Sequence, residues 1–363
     1  MSRLPLWAGR ACARRATRPA GPRAEVAACR RRAIWPAAPH VSLPLFTRAG
    51  QRGVLRNRRP VPPQRVTPVG CHLQGGVSVK KIGVAGCGLM GAGIAEVSAR
   101  AGLDVVVVES SQAAADAGRE RLAASLRRAE AKGKIPDAAA VLDRIDVVTD
   151  LEALADREIV VEAIVEDEAA KVELFGKLDR IVTAPDAVLA SNTSSIPIMK
   201  LAVATSRPSQ VLGLHFFNPV PVLSLVELVP SLLTDPEVAE RVRGFARDTL
   251  GKHVIHSQDR AGFVVNALLI PFLLSAVRMV ESGFATPEDV DEGFVRGCAH
   301  PQGPLALADL IGLDTTKAVA DSLYEEFKEP LYAPPPLLAR MVDAGLLGRK
   351  SGRGFYRYGE GRR

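Results

Sequence analysis

Between Val79 and Phe216 the chain alternates short runs of β-branched residues with longer stretches in which apolar residues recur every three or four positions. Continuous apolar runs bounded by turn residues read as strands covered on both faces, and the amphipathic stretches between them read as crossover helices. Strands are predicted at Lys81–Ala85, Asp104–Glu109, Asp146–Val148, Ile159–Ala163, Val188–Ser191 and Val211–Phe216, with another near Leu225–Val229. Helices are predicted at about Met90–Arg100, Ala113–Lys132 and Glu168–Val182. This order of elements specifies an α/β domain with a mostly parallel sheet. After Asp235 the strand signal fades and helical runs follow at Glu237–Thr249, Gly262–Ser282, Pro287–Gly293, Pro304–Leu310 and Pro335–Ala344. The pattern therefore divides into an α/β domain over 78–258 and an all-helical C-terminal domain over 259–363, with the boundary near Ser257–Ala261. No internal repeat interrupts it.

Residues 1–77 fit neither period. Through residue 75 they hold fifteen Arg, no Lys and one acid, Glu25, a local charge of +14 against +7 for all 363 residues. The remainder is therefore near −7, and the basic balance gives the body no reason to bind nucleic acid or a membrane. With breakers such as Pro60, Pro62 and Pro63, the segment reads as a disordered tail. Its Arg-rich, acid-poor make-up is open to two readings: an organelle transit peptide, or an extension from an upstream start on a GC-rich gene. The second places the working protein in the cytoplasm with a start near Val77 or Val79, and the first places it in the mitochondrial matrix. Three of the five cysteines (Cys12, Cys29, Cys71) fall in the tail, leaving Cys87 and Cys298 without disulfide or metal spacing, which suits a reducing compartment. The longest apolar stretch, Ala261 to Val277, contains Asn266 and Pro271 and is too short for a bilayer span, so a buried helix is expected there.

The chemistry begins with Gly86-Cys87-Gly88-Leu89-Met90-Gly91, directly after the first strand and opening a helix. The first Gly permits a tight turn, the second lets the backbone approach a pyrophosphate, and the third lets helix and strand pack closely. Phosphates then sit on the helix N-terminus. The next strand ends at Glu109, 18 residues beyond Gly91, where a carboxylate can accept from both ribose hydroxyls. Together these features indicate a Rossmann-type dinucleotide domain. Glu109 would repel a 2′-phosphate and residues 110–113 supply no Arg, so NAD is favoured over NADP.

A second constellation, Ser191-Asn192-Thr193-Ser194-Ser195, stands at the carboxyl end of a strand, where open parallel sheets gather ligands. The same residues also suit an ordinary helix N-cap. A third comprises His215 in Gly213-Leu214-His215-Phe216-Phe217-Asn218-Pro219 and, twelve residues after the histidine, Glu227. Pro219 and Pro221 force a turn, so His215 and Glu227 can meet across neighbouring strands. An imidazole held by a carboxylate keeps one tautomer, gains basicity and can take a hydroxyl proton near neutral pH.

From about Val79 to Tyr358 the chain resembles the short-chain 3-hydroxyacyl-CoA dehydrogenase family, the 3-hydroxybutyryl-CoA dehydrogenases of bacteria included. Besides the strings above, the likeness rests on His-Phe-Phe-Asn-Pro-Val-Pro-Val at 215–222, Gly262-Phe263-Val264-Val265-Asn266, Gly303-Pro304, Asp309, Gly312-Leu313-Asp314 and Gly348 through Tyr356. The resemblance implies that His215 is the general base that takes the 3-hydroxyl proton, and that Glu227 orients it. It implies that Ser194 and Asn266 hold the substrate oxygens and that Asn218 sits beside the nicotinamide. Gly86, Gly88, Leu89, Met90, Gly91, Glu109, Glu166, Lys171 and Lys350 match positions that touch NAD. Ser125 and Lys132, on the helix after Glu109, match positions that touch CoA, with Arg127 and Arg128 as further cations for its phosphates. The apolar helices after Gly262 exceed what one small domain needs, and the resemblance implies a homodimer.

Two departures, Gln302 where the family often carries Met and Ser224 where a longer side chain is frequent, bear on acyl-chain preference rather than on the reaction. A hydrolase triad of Ser194, His215 and Glu227 is disfavoured, because no Gly-x-Ser-x-Gly elbow is present and the glycine turn would have no use. A dehydrogenase of a non-CoA 3-hydroxy acid or sugar acid, or a non-catalytic NAD-binding protein, remains an alternative on the same scaffold.

Overall fold

The computed structural model of the protein describes residues 79–184 and 186–359; the segment to residue 77, with its three cysteines, lies outside the described residues. In chain order the elements are β1 (Lys81–Ala85), α1 (Leu89–Arg100), β2 (Asp104–Val108), α2 (Gln112–Ala131), α3 (Ala138–Leu142), β3 (Ile145–Val148), β4 (Ile159–Glu162), α4 (Glu168–Ile181), β5 (Val188–Ser191), α5 (Ile198–Ala202), β6 (Val211–Phe216) and β7 (Leu225–Pro230). There follow α6 (Pro236–Gly244), β8 (His253–His256), α7 (Val265–Glu281), α8 (Pro287–Gly297), α9 (Pro304–Ile311), α10 (Leu313–Phe327) and α11 (Pro336–Asp343).

One eight-stranded sheet runs β3-β2-β1-β4-β5-β6-β7-β8. Its neighbours are parallel except β6 and β7. Alternate side chains of β2 enter opposite cores: Val105 and Val107 pack with Ile94 and Leu122, whereas Val106 and Val108 pack with Phe175 and Leu178. That division is the period of two expected of a strand covered on both faces. Because β1 pairs with both β2 and β4, the strand order reverses beside it, which opens a crevice beyond the carboxyl ends of the strands.

The helical region closes on a third core that includes Leu273, Leu274, Leu305, Leu323 and Leu338. Two buried carboxylates tie it together. Asp291 on α8 accepts the N–H of Leu305 and Ala306 at the start of α9, at 2.8 and 2.9 Å, and the Tyr356 hydroxyl at 2.9 Å. Asp309 accepts the N–H of Phe355 and Tyr356 and the Tyr358 hydroxyl at 2.9–3.0 Å. Gly354 permits this closure, since a Cβ there would stand 2.0 Å from Asp309 Oδ1. Burial and Asp309 push the Tyr358 phenol up to about 12.

The structure departs from the sequence pattern in several places. β8 stands where the strand signal was expected to have ended; its four residues pair with β7 as an added edge strand. α10 was not anticipated, nor were the short α3 and α5. The run expected as one helix to Thr249 is α6 followed by a wider π turn over Phe245–Thr249. α7 begins at Val265 rather than Gly262, because Gly262 and Phe263 have φ of +74° and +48°, a left-handed conformation that no helix continues. Nor is α7 wholly buried: Ile270, Leu273, Leu274 and Val277 face the core, but Leu268 is 72% exposed and Met279 42%. Among the described residues, no helix is long and apolar enough to cross a membrane.

Candidate active site

The glycine turn joins β1 to α1 at the strand reversal. Gly86 has φ of +98°, and a Cβ there would stand 2.6 Å from Ala163 O. A Cβ on Gly91 would stand 1.9 Å from Gly86 O, so helix and turn could not close on any other residue. At Gly88, in contrast, a Cβ would meet nothing within 4 Å, and no side chain caps the N-terminus of α1. Unpaired N–H groups thus face open space, the arrangement that receives a pyrophosphate. Leu89 is exposed and Met90 half-buried on the first turn. Glu109, just beyond β2, accepts the Cys87 N–H at 2.5 Å and the Ser110 N–H at 3.2 Å. These features fit NAD on this chain's own residues.

Helix α2 braces the turn from outside. A Cβ on Gly118 would stand 2.6 Å from Cys87 Sγ, so the glycine leaves that thiol its place, and Arg121 Nη1 donates to Cys87 O at 2.6 Å. Burial, and then the charge of Glu109, push the Cys87 thiol up to about 11. Farther along α2 lies half-buried Ser125; Lys132, expected on the helix, is instead its exposed C-cap.

On the other side of β1, the antiparallel register sets His215 directly opposite Glu227. His215 Nδ1 lies 2.7 Å from Glu227 Oε2, with the carboxylate fully buried. The other oxygen, Oε1, accepts the N–H of Val264 and Val265 at 3.0 and 2.9 Å. One carboxylate therefore braces the imidazole and anchors the first turn of α7, where Asn266 is the second residue. The imidazole packs between the rings of Phe217 and Phe263, at 4.6 and 5.5 Å between centroids.

The turn after β5 is drawn to the same place, since the Phe216 N–H donates to Asn192 Oδ1 at 2.9 Å. Glu166 gathers the rest of that turn: its Oε1 accepts from Thr193 Oγ1 at 2.5 Å, Ser194 N at 3.0 Å and Ser195 Oγ at 3.1 Å. Burial alone would raise the Glu166 carboxyl, but the Lys171 ammonium and the donors of Thr193 and Ser194 outweigh it and hold the group below its usual range.

Asn218 is exposed at the head of the turn that leaves His215. Lys252 holds that turn by donating to Val220 O and Leu223 O at 2.6 and 2.8 Å. Val220 in turn lies against Gly93 of α1.

Two residues expected at the cofactor have carboxylate partners in this structure. Lys171 is buried to 1%, with its ammonium between Glu162 Oε1 at 2.5 Å and Glu166 Oε2 at 3.1 Å, so it can reach a ligand only through Glu166. Lys350, in the short turn Arg349–Ser351, pairs with Asp314 Oδ2 at 2.6 Å. A cavity of about 840 Å³ lies behind the serine-rich turn, lined in part by Ser195, Met199, Asp259 and Glu326; it contains neither His215 nor the glycine turn.

Sequence reasoning passed over Glu162, Gly118 and Arg121, and quoted Asn192 and Phe263 within their strings without giving either a role. Only Glu162 left a signal, an acid closing an apolar strand nine residues before a lysine. Among the described residues no cluster of His, Cys, Asp and Glu could hold a metal ion, and Cys87 and Cys298 are unpaired.

A dinucleotide crevice with a carboxylate-braced histidine at the end of a nearby strand is the apparatus of an NAD-dependent dehydrogenase on a Rossmann fold, completed here by a helical C-terminal domain. More narrowly, the chain belongs to the 3-hydroxyacyl-CoA dehydrogenase family: the model of the family's NAD binding domain matches residues 81–260, and that of its C-terminal domain residues 262–358. It is 61% identical over 283 residues to the 3-hydroxybutyryl-CoA dehydrogenase of Mycobacterium tuberculosis, covering 77% of this chain and 99% of that protein. It is 40% identical to the mitochondrial hydroxyacyl-coenzyme A dehydrogenase of Sus scrofa, over 78% of this chain and 92% of that one. Among solved structures, (S)-3-hydroxybutyryl-CoA dehydrogenase of Ralstonia eutropha superposes with a TM-score of 0.73 at 46% identity, over 78% of this chain and all of that one.

Proposed function

We propose that the protein oxidises short-chain (S)-3-hydroxyacyl-CoA, 3-hydroxybutyryl-CoA foremost, to the 3-oxoacyl-CoA, and catalyses the reverse reduction. The observation that carries this reading is the 2.7 Å approach of His215 Nδ1 to Glu227 Oε2 in a buried register pair. With its Nδ1–H donated to Glu227, the imidazole keeps Nε2 free as a base, and that atom takes the 3-hydroxyl proton. Bound NAD supplies the acceptor for the hydride that leaves C3. The cofactor is held by Gly86, Gly88, Leu89, Met90, Gly91 and Glu109, with Glu166, Asn218 and Lys350 closing on it and Lys171 acting behind Glu166. Ser194 and Asn266 hold the substrate oxygens and polarise the ketone in the reverse direction. Ser125 and Lys132 receive the CoA moiety.

The domain boundary assigned to this function falls near residues 257–261. The subunit works as a homodimer, a reading supported by the exposed apolar side chains of Leu268, Met279 and Phe284 on and after α7. Its place of action is the cytoplasm, or the mitochondrial matrix if residues 1–77 are a targeting segment.

The test is NADH formation with 3-hydroxyacyl-CoA substrates of several chain lengths, run beside free 3-hydroxybutyrate. Turnover of the CoA esters, with the four-carbon ester favoured, is the expected result; turnover of the free acid alone would overturn the reading.

A further inference from the structure

Glu162 closes β4 and has no exposed surface. Its two oxygens do different things. Oε1 meets the Lys171 ammonium at 2.5 Å and accepts the Ile164 N–H at 2.8 Å. Oε2 accepts from Ser191 Oγ at 2.6 Å, and Ser191 Oγ in turn accepts the Thr193 N–H at 3.1 Å. Both routes end at Ser194: one through Lys171 and Glu166 to the Ser194 N–H, the other through Ser191 and Thr193 along the backbone.

The donors already on Glu166 give this arrangement its chemical point. Its Oε1 accepts Thr193 Oγ–H, Ser194 N–H and Ser195 Oγ–H, while the Ser194 hydroxyl stands off at 3.5 Å, the limit of a hydrogen bond. The Ser194 hydroxyl thereby makes the longest of the four contacts to this oxygen, so its proton is the one most easily turned to an oxygen outside the network. A buried carboxylate survives at this place because Lys171 neutralises it, and a half-satisfied network would be worse than an apolar one.

We infer that Glu162 is a positioning residue for the substrate: through Lys171 and Ser191 it sets the two carboxylate–hydroxyl relays that aim the Ser194 hydroxyl at the substrate oxygen. The inference rests on the proposed acyl-CoA reading and extends it to a residue that touches neither ligand. In Glu162→Gln the amide cannot accept on both arms: either Ser191 reverses its hydroxyl and loses the acceptor for its proton, or the Lys171 ion pair is broken. With its oxygen toward Lys171 it presents N–H₂ to Ser191, and turned the other way it presents N–H₂ to the ammonium.

The experiment is a double-mutant cycle of Glu162→Gln with Ser194→Ala in the full chain, read by acetoacetyl-CoA binding and by kcat/KM for 3-hydroxybutyryl-CoA. Glu162→Gln alone should lower acyl-CoA kcat/KM by roughly 10- to 100-fold and raise the Kd for NADH, which the Lys171–Glu166 arm also serves, by clearly less than that. In the Ser194→Ala background it should cost less than about 3-fold more, because there is no hydroxyl left to aim. An equal loss in both backgrounds, or a parallel loss of NADH binding, would mark Glu162 as a general structural support and overturn the inference. If Glu162→Gln does not fold, Ser191→Ala, which cuts one arm while keeping the ion pair, decides by the same cycle. A wild type that binds acetoacetyl-CoA but turns over no hydroxyacyl ester would sink the proposed function, while the binding cycle would still judge Glu162.

Discussion

Glu227 accepts the backbone N–H of Val265 at 2.9 Å with the oxygen that does not face His215. The residue that braces the imidazole is therefore also the splice between the sheet and α7, and changes at Glu227 should act on the proposed chemistry and on the architecture together.

Replacing that carboxylate by an amide separates the two roles. In Glu227→Gln the amide oxygen has to face the two backbone donors of α7, which turns N–H₂ toward His215 Nδ1. The imidazole must then carry its proton on Nε2, where it can no longer act as a base. Turnover should fall by about 10²–10⁴ with the fold retained, measured by NADH formation beside a circular-dichroism melt. Near-normal turnover would show that the tautomer does not matter.

His215→Gln removes the base and leaves the glycine turn untouched. A fall of about 10²–10⁴ in kcat is expected, with the Kd for NADH within a factor of about 3 of the parent. Retained activity would move the base elsewhere.

Glu109→Ala should do the reverse, weakening NAD more than it slows chemistry. The variant loses the acceptor of the Cys87 N–H as well as the partner proposed for the ribose. The Kd for NAD should rise about 10- to 100-fold, or about 1.4–2.8 kcal/mol, and the preference over NADP should shrink. Calorimetric titration with both dinucleotides measures each.

In the helical region, Asp309→Ala strands three donors in a buried place, at about 1–3 kcal/mol each. A loss of roughly 3 kcal/mol or more is expected from urea midpoints, against about 1 kcal/mol for Tyr356→Phe, which removes one hydroxyl shared between Asp291 and Pro287 O.

Glu166 gives a pH signature. Its carboxyl lies below the usual value of 4.5 in the folded protein, so the stability it contributes is complete above that value and drains away as pH falls through the lowered one. The melting temperature of Glu166→Gln should therefore lie below that of the parent at neutral pH and converge with it in acid. Parallel curves at every pH would contradict the linkage.

How far the sequence foretold this structure depends on where each signal resides. β1, the glycine turn and β2 write themselves locally, as apolar runs joined by glycines with no steric alternative. The meeting of His215 with Glu227 is also local, since a proline-bearing turn folds one strand back on the other. β8 has only four residues, two of them histidines, and becomes a strand because β7 offers it an edge. α10 escaped because its polar face is broad and its start is set by Gly312, at φ of +105°, rather than by a Ser, Thr or Asp cap. Lys171 was expected against NAD, and nothing in its helix marks it for burial; it is buried because two carboxylates supplied by β4 and the loop after it wait where α4 packs. Partners of that kind are decided in three dimensions and leave no period behind.

The fit of Gly118 against Cys87, together with the Arg121 bond to the same residue, makes α2 and the glycine turn a single rigid piece. Seven residues on, at roughly 1.5 Å of rise each, the same rod carries Ser125. If Ser125 receives the coenzyme handle of the substrate as proposed, the helix works as a gauge between it and the dinucleotide, spanning roughly 10 Å. Loosening it would misalign two guests that each still bind well.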